Sequence, residues 1–243
     1  MRSYGITDTG MVRAVNQDAF SIVEAPEGAL CLAVLCDGMG GARGGEIASA
    51  MAVEAFVETA REDLARTEWL DIADIAREAA SVANLRVYDR AYREESLRGM
   101  GTTLVGAILR EKEAVIVNIG DSRCYWMANG KIQQVTRDHS HVQDLVENGV
   151  ITAKDARSHP RKNLITRAVG IERRVRSDIF RLDLREGDKL LLCSDGLSNL
   201  LEEDELADIL ENERYGKSAC RRMMDTALRR GAPDNVTIVL LER

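Results

Sequence analysis

The sequence predicts an α+β sandwich, and three observations carry that prediction. First, strand-like runs, two long helical stretches, more strand-like runs, two more helices and a last strand follow one another. That order is not the βαβα alternation of a doubly wound sheet. Second, the links Arg110-Glu111-Lys112 and Asn129-Gly130 are hairpin links, which imply antiparallel pairing. Third, runs such as Leu30-Cys31-Leu32-Ala33-Val34-Leu35-Cys36 are apolar throughout and so read as strands buried on both faces.

Strand-like segments occupy about 2–9, 18–24 and 30–37. In the first helical stretch Ile47, Met51 and Ala55 recur beside Ala48, Ala52 and Phe56, one apolar face at four-residue spacing. In the second, Ile72, Ile75, Ala79 and Val82 line a face, with Glu78, Arg86 and Arg90 elsewhere. Strands are expected near 101–110, 113–119, 122–128 and 131–135. Residues 139–165 interrupt this rhythm. Ser140-His141-Val142-Gln143 and Thr152-Ala153-Lys154-Asp155 read as capping boxes opening two short helices, the first closed by Gly149. The polar loop His159-Pro160-Arg161-Lys162-Asn163 follows, so the segment reads as an inserted surface flap. Strands return near 175–182 and 188–194, then helices near 202–211 and 216–230. Gly231 and Pro233 stop the last helix before a strand at 236–241.

With 243 residues, no repeat and no linker, residues 1–243 are expected to form one domain. A hydrophobic fraction of 45% with 30% charged residues is that of a soluble globular chain. The net charge of −7 argues against nucleic-acid binding, because a phosphate backbone demands a basic face. No run approaches the roughly 20 apolar residues of a membrane span. Met1-Arg2-Ser3-Tyr4-Gly5-Ile6 lacks the apolar core of a signal peptide, and nothing after Leu241 reads as an anchor. Five dispersed cysteines without a CxxC pair fit a reducing compartment, so a cytoplasmic monomer without membrane contact is expected.

Four aspartates sit where an apolar strand meets a turn: Asp37, Asp121, Asp195 and Asp234. If the last strand runs antiparallel to its neighbours, its start lies beside their ends, and all four carboxylates can converge at one rim. Such a cluster repels itself and wants cations. Oxygen-only donors suit Mg²⁺ or Mn²⁺ better than zinc. Taken singly, Asp37-Gly38 and Asp195-Gly196 are also hairpin signals, and Asp234-Asn235 reads as loop chemistry after Pro233. The glycine-rich stretch from Asp37 to Gly45 lacks the Gly-Lys-Ser/Thr of a P-loop, so a nucleotide site is the weaker reading. Its glycines fit close backbone approach to a metal, with the Gly38 carbonyl as a ligand. Beside such a cluster Arg13 is a natural clamp for a phosphoryl group. Asp18 and Asn235 are placed behind the ligands, Asp18 orienting metal-bound water.

In order, the motifs are Arg13-Ala14-Val15-Asn16-Gln17-Asp18, Asp37-Gly38-Met39-Gly40-Gly41, Gly101-Thr102-Thr103, Gly120-Asp121-Ser122-Arg123, Asp138-His139-Ser140, Thr166-Arg167-Ala168-Val169-Gly170, Ser194-Asp195-Gly196-Leu197 and Asp234-Asn235-Val236-Thr237. This series resembles the metal-dependent serine/threonine protein phosphatases of type 2C, the PPM family, and most closely their short bacterial members. The resemblance runs from about residue 3 to 241. It implies a four-layer α-β-β-α sandwich with two antiparallel sheets face to face and metals at one end. It also implies that Asp37 bridges two Mn²⁺ or Mg²⁺ ions, Asp195 and Asp234 holding one and the Gly38 carbonyl the other. Asp121, with Asp195, would hold a weaker third ion, Arg13 would bind the phosphate, and 139–165 would be the family's flap. Two positions depart from many relatives: Met39 stands where a proposed general-acid histidine occurs, and Asn199 where some have aspartate.

The reaction so implied is hydrolysis of phosphoserine and phosphothreonine in proteins by a hydroxide between two cations. Met39 cannot donate a proton, so a water on the third ion near Asp121 is expected to protonate the leaving group. The partners implied are phosphorylated proteins, among them a bacterial Ser/Thr kinase of eukaryotic type and its substrates. The rival readings are a non-catalytic phosphoprotein-binding module and a hydrolase of small phosphate esters. The first is disfavoured because Arg13 and all four aspartates are present; Arg161-Lys162 weigh weakly against the second.

Overall fold

Strand β3 (Leu30–Met39) shows how this sequence makes layers. Its odd members Cys31, Ala33 and Leu35 pack toward one side, its even members Leu32, Val34 and Cys36 toward the other, and all six are buried. A strand buried on both faces needs a layer on each, which is why the run carries no polar alternation. The computed structural model describes residues 1–25, 30–66 and 70–243.

One sheet holds β2 (Asp18–Glu24), β3, β5 (Leu104–Arg110), β6 (Glu113–Ile119) and β9 (Asp178–Asp183) in that order, with the short β4 (Gly101–Thr102) paired to the end of β3. The other holds β1 (Arg2–Asp8), β11 (Val236–Glu242), β10 (Lys189–Cys193), β7 (Arg123–Ala128) and β8 (Lys131–Gln134). Every pairing is antiparallel. Cys31, Ala33, Val105, Ile116, Leu190, Leu192 and Val239 form the layer between the sheets. Helices α1 (Gly41–Arg66) and α2 (Ile72–Arg93) cover the outer face of the β3 sheet. Helices α6 (Glu203–Asn212) and α7 (Gly216–Arg229) cover the other sheet. The result is the four-layer α-β-β-α sandwich expected.

Within 139–165, α3 (His141–Glu147) and α4 (Ala153–Ser158) are the two short helices. The Thr152–Asp155 box is complete, whereas Ser140 accepts from the Gln143 N–H at 3.3 Å and the Gln143 side chain turns to Glu147 instead. At the end of α3, Gly149 takes φ +69, with Val150 N–H on Leu145 O at 2.9 Å and Gly149 N–H on Val146 O at 3.0 Å. This paired closure needs a left-handed residue, hence glycine. Ser140 and Ile165 form an antiparallel bridge, and Thr166 N–H reaches His139 O at 2.8 Å, so the segment leaves and rejoins the body through one narrow neck.

Four element boundaries differ from the sequence reading. The strand expected at 101–110 breaks at Thr103, because the Asp37 N–H there is taken by the Thr103 hydroxyl at 2.9 Å. Strand β3 continues two residues past Asp37. Asp195 opens a four-residue helix, α5 (Asp195–Ser198), instead of a hairpin turn. Strand β9 begins only at Asp178, because Asn84 of α2 draws the backbone carbonyls of Glu172 and Arg173 to itself at 3.0 and 3.1 Å. No described helix is long and apolar enough to cross a membrane.

Candidate active site

At one rim the layer between the sheets turns from apolar to polar. Asp37 continues the inward row Cys31, Ala33, Leu35, and Asp18 lies directly opposite it on β2. Asp18 is buried, and its Oδ2 accepts from Ser194 Oγ at 2.8 Å and Thr237 Oγ1 at 2.7 Å. One carboxylate of the β3 sheet is thereby tied to β11 and to the residue that follows β10 in the other sheet. Burial, opposed by those two hydroxyls, pushes the Asp18 carboxyl up to about 6. Its Oδ1 is buried and, among the described residues, has no hydrogen-bond partner.

Asp37 is held through its backbone. Its N–H goes to Thr103 Oγ1, and its carbonyl accepts from Thr103 N–H and Thr102 Oγ1, both at 2.8 Å. Thr103 Oγ1 also meets Ser122 Oγ at 2.7 Å, beside Asp121. The next residue must be glycine, since a Cβ at Gly38 would stand 2.1 Å from Gly45 O and 2.7 Å from Gln17 O. Both neighbours are backbone and cannot yield cheaply.

Because β11 runs antiparallel to β10, Asp234 before it lies beside Asp195 after β10. The two turns touch: a Cβ at Gly196 would fall 2.0 Å from Asn235 O. Asn235 is buried; its Oδ1 accepts from Gln17 N–H at 2.8 Å, and its Nδ2 donates to Thr9 O at 2.9 Å and Val15 O at 3.1 Å. It therefore clamps the 9–17 loop that carries Arg13. Arg13 reaches back to Asp234 Oδ2 at 2.8 Å while half of its side chain stays exposed. A guanidinium has five N–H donors, so the rest remain available. Asn199 Nδ2 donates to Asp195 Oδ2 at 3.0 Å.

Asp121 follows Gly120, whose N–H donates to His139 Nδ1 at 3.0 Å and whose carbonyl accepts from His139 N–H at 2.9 Å. That bond leaves the imidazole proton on Nε2, which faces Asp178 Oδ2 at 3.1 Å; Arg167 holds the other oxygen at 3.0 Å. Arg123 grips Asp138 through three hydrogen bonds of 2.7 to 3.1 Å. Two motifs distant in sequence thus lock together behind Asp121.

Burial drives the His139 pKa below 6.5, with Asp178 opposing. The folded state keeps the ring neutral while the unfolded chain takes up a proton below 6.5, so stability is present above that pH and is lost as pH falls toward the folded value. The raised carboxyls nearby act with the opposite sign, so the readout is a difference. Chemical denaturation between pH 7 and about 5 is expected to show a smaller loss on acidification for His139→Gln than for the wild type. Parallel curves would refute this assignment.

Arg13, Asp37, Gly38, Asp121, Asp195 and Asp234 line one cavity of about 480 Å³, with Met39, Thr103, Asn163 and Ile165. Burial is the largest force raising each of three of its carboxyls. The others in the cluster add to it: Asp37 lies well above the usual range, with Asp18, Asp195, Asp121 and Asp234 contributing. Asp195 reaches about 6 with Asp234 contributing, and Asp121 about 8 with Asp195 and Asp138 contributing. Carboxylates gathered in one cavity whose lining has no histidine or cysteine are oxygen donors of the kind that fits Mg²⁺ or Mn²⁺. The orphaned Asp18 Oδ1 behind them fits a water that such a cation would carry.

Sequence reasoning gave no role to Thr102, Thr103, His139 or the Arg123–Asp138 pair. The available signal was two polar runs, Thr102-Thr103 just before an apolar strand and Asp138-His139-Ser140 at the start of the inserted segment.

A protein-family profile described as Protein phosphatase 2C matches residues 11–236. The serine/threonine phosphatase stp of Listeria welshimeri is 39% identical over 237 residues, covering 98% of this chain and 94% of that protein. The serine/threonine phosphatase Stp1 of Staphylococcus aureus superposes with a TM-score of 0.90 at 35% identity, covering 99% of this chain and 94% of that one. The catalytic domain of the phosphatase PstP, solved in complex with 2 manganese ions, superposes at 0.85 with 33% identity, covering 98% and 96%. This chain belongs to the protein phosphatase 2C family and is a metal-dependent protein serine/threonine phosphatase of the bacterial PPM type.

Proposed function

We propose that two Mn²⁺ or Mg²⁺ ions sit at the floor of this cavity and a third binds beside them more weakly. The observation that carries this reading is the convergence of four carboxylates, drawn from both sheets, with Arg13 around one opening. Asp37 would bridge the two inner ions, Asp195 and Asp234 would hold one, and the Gly38 carbonyl the other. Asp121, with Asp195, would hold the third. When bound, the cations supply a hydroxide nucleophile at neutral pH and neutralise charge on the phosphoryl oxygens.

The chain's own residues do the rest. Arg13 keeps one N–H on Asp234 and turns the others to the phosphate, fixing it for in-line attack. Asn235 holds the Arg13 loop and Asp18 orients the attacking water, each from behind the ligands. Met39 lines the cavity without a proton to give, which leaves protonation of the departing alkoxide to water on the Asp121 side. The segment 139–165 is a flap within a single domain, contributing Asn163 and Ile165 to the wall. The substrates that fit are a Ser/Thr kinase and the proteins it phosphorylates, met by a cytoplasmic monomer that has no nucleic-acid or membrane partner.

Hydrolysis of a phosphothreonine peptide is expected with added Mn²⁺ and is expected to vanish with EDTA, returning when Mn²⁺ is restored. Activity that persists in EDTA would overturn the assignment. Faster turnover of small metabolite phosphates than of phosphopeptides would move the reading to a small-ester hydrolase.

A further inference from the structure

A cavity of about 1340 Å³ lies between α2 and the segment leading into β9, and four arginines line it. Arg173, Arg174 and Arg176 all line it and all are exposed, and among the described residues none of their guanidinium groups has an ion-pair partner. Arg77 on the facing helix is already committed to Asp74 at 2.6 Å. Glu78, Glu172 and Asp178 also line the groove; neither glutamate pairs with these arginines, and Asp178 is held by His139 and Arg167. Three free guanidinium groups within four positions stand out in a chain whose net charge is −7.

Two further features make this a built surface. The arginine segment is fixed in place by Asn84, which is fully buried in α2. Asn84 accepts from Gly170 N–H at 2.8 Å and donates to the carbonyls of Glu172 and Arg173, so the backbone beneath the arginines is pinned. Gly170 lies against Val87, where a Cβ would come within 2.3 Å of a methyl group. One residue earlier, Val169 exchanges both backbone hydrogen bonds with Thr102, at 2.8 and 3.0 Å, and Thr102 also holds Asp37. The groove and the metal-binding rim therefore share one frame.

The second feature is continuity. Glu172 lines both the groove and a smaller cavity of about 260 Å³, which Ile171, Ile165 and Met39 line as well. Ile165 and Met39 in turn line the catalytic cavity. A track with an apolar middle thus runs from the phosphate position to the arginines.

The geometry points to a docking groove in which Arg173, Arg174 and Arg176 receive an acidic segment of the phosphoprotein substrate, lying to one side of the phosphorylated residue. This rests on the reading of the catalytic cavity given above. Aspartate and glutamate side chains suit guanidinium forks, which bind carboxylates bidentately and are weakly hydrated. The apolar middle of the track accommodates the residues between. Because the arginines are exposed, their effect falls on capture of substrate and weakens with salt.

The test uses the full chain loaded with Mn²⁺ and phosphothreonine peptides identical except for one flank, made acidic, neutral or lysine-rich on either side in turn. The wild type is expected to favour the acidic flank on one side by about tenfold in kcat/KM at low salt, several exposed ion pairs acting together. The R173Q/R174Q/R176Q variant is expected to lose that preference, and R173E/R174E/R176E to shift it toward the lysine-rich peptide. Turnover of p-nitrophenyl phosphate, which is too short to reach the groove, reports that each variant keeps a folded site. Equal rates on acidic and neutral flanks in the wild type, or a preference that survives R173Q/R174Q/R176Q, would overturn the docking groove and leave the phosphatase reading standing. Failure to hydrolyse any peptide, the neutral one included, would sink both.

Discussion

Asp37→Asn removes turnover while making the metal-free protein more resistant to heat. The two effects have one cause. Asp37 lies among Asp18, Asp195, Asp121 and Asp234, and burial and those neighbours together push its carboxyl well above its usual range. Asparagine keeps the volume and is neutral at every pH, so folding no longer has to protonate a carboxyl or bury its charge among the others, and the apo form gains stability. Proposed as the bridge between two ions, the residue supports several kcal/mol of transition-state charge stabilisation. The loss in kcat/KM on a phosphothreonine peptide is then about a thousandfold or more. Mn²⁺ binding measured by calorimetry is expected to weaken in parallel. A variant that keeps a tenth of wild-type activity would exclude Asp37 from the bridging role.

Gly196→Ala adds a single methyl group behind Asp195, against the Asp234-Asn235 turn, and is expected to disable the site. Its Cβ would stand 2.0 Å from Asn235 O, and two main chains meet there, so no side-chain rotation relieves the clash. The α5 start must separate from the Asp234-Asn235 turn, taking Asp195 away from Asp234. Overpacking of this kind costs roughly 1–3 kcal/mol, which for a chain of this size lowers Tm by about 3–10 °C. A displacement near 1 Å in a catalytic constellation costs about a hundredfold in rate. Thermal denaturation and Mn²⁺-dependent peptide hydrolysis on the same sample check both effects. Wild-type values for both would mean that the contact is slack.

The layering was legible because burial on both faces leaves a plain mark: Leu30 to Cys36 has no polar residue, and only a strand with neighbours above and below tolerates that. The convergence of the acids was legible for a related reason, since strand ends under an antiparallel rule have few places to go. What sequence could not carry was the backbone chemistry of the rim. Nothing in Thr103 announces that its hydroxyl will take the Asp37 N–H and interrupt a ladder. The short helix at Asp195 was hidden because Asp-Gly is equally a turn signal, and only contact with Asn235 decides between them. The order of ligands and the reading of 139–165 as the family's flap come from the family resemblance, not from the residues alone. The arginine segment after Gly170 fell outside every motif, because its placement depends on Asn84, some ninety residues earlier in the chain.

Asp18 belongs to one sheet, and the hydroxyls that hold it, Ser194 and Thr237, belong to the other. The carboxylate rim is therefore a seam that exists only while the two sheets are pressed together, and its parts span the chain from Arg13 to Asp234. No fragment and no half-docked intermediate can own it. Along a denaturation curve, activity must disappear no later than the first opening between the sheets, even where each sheet keeps its own helices. The enzyme's output is in this sense a gauge of whether its two halves have met.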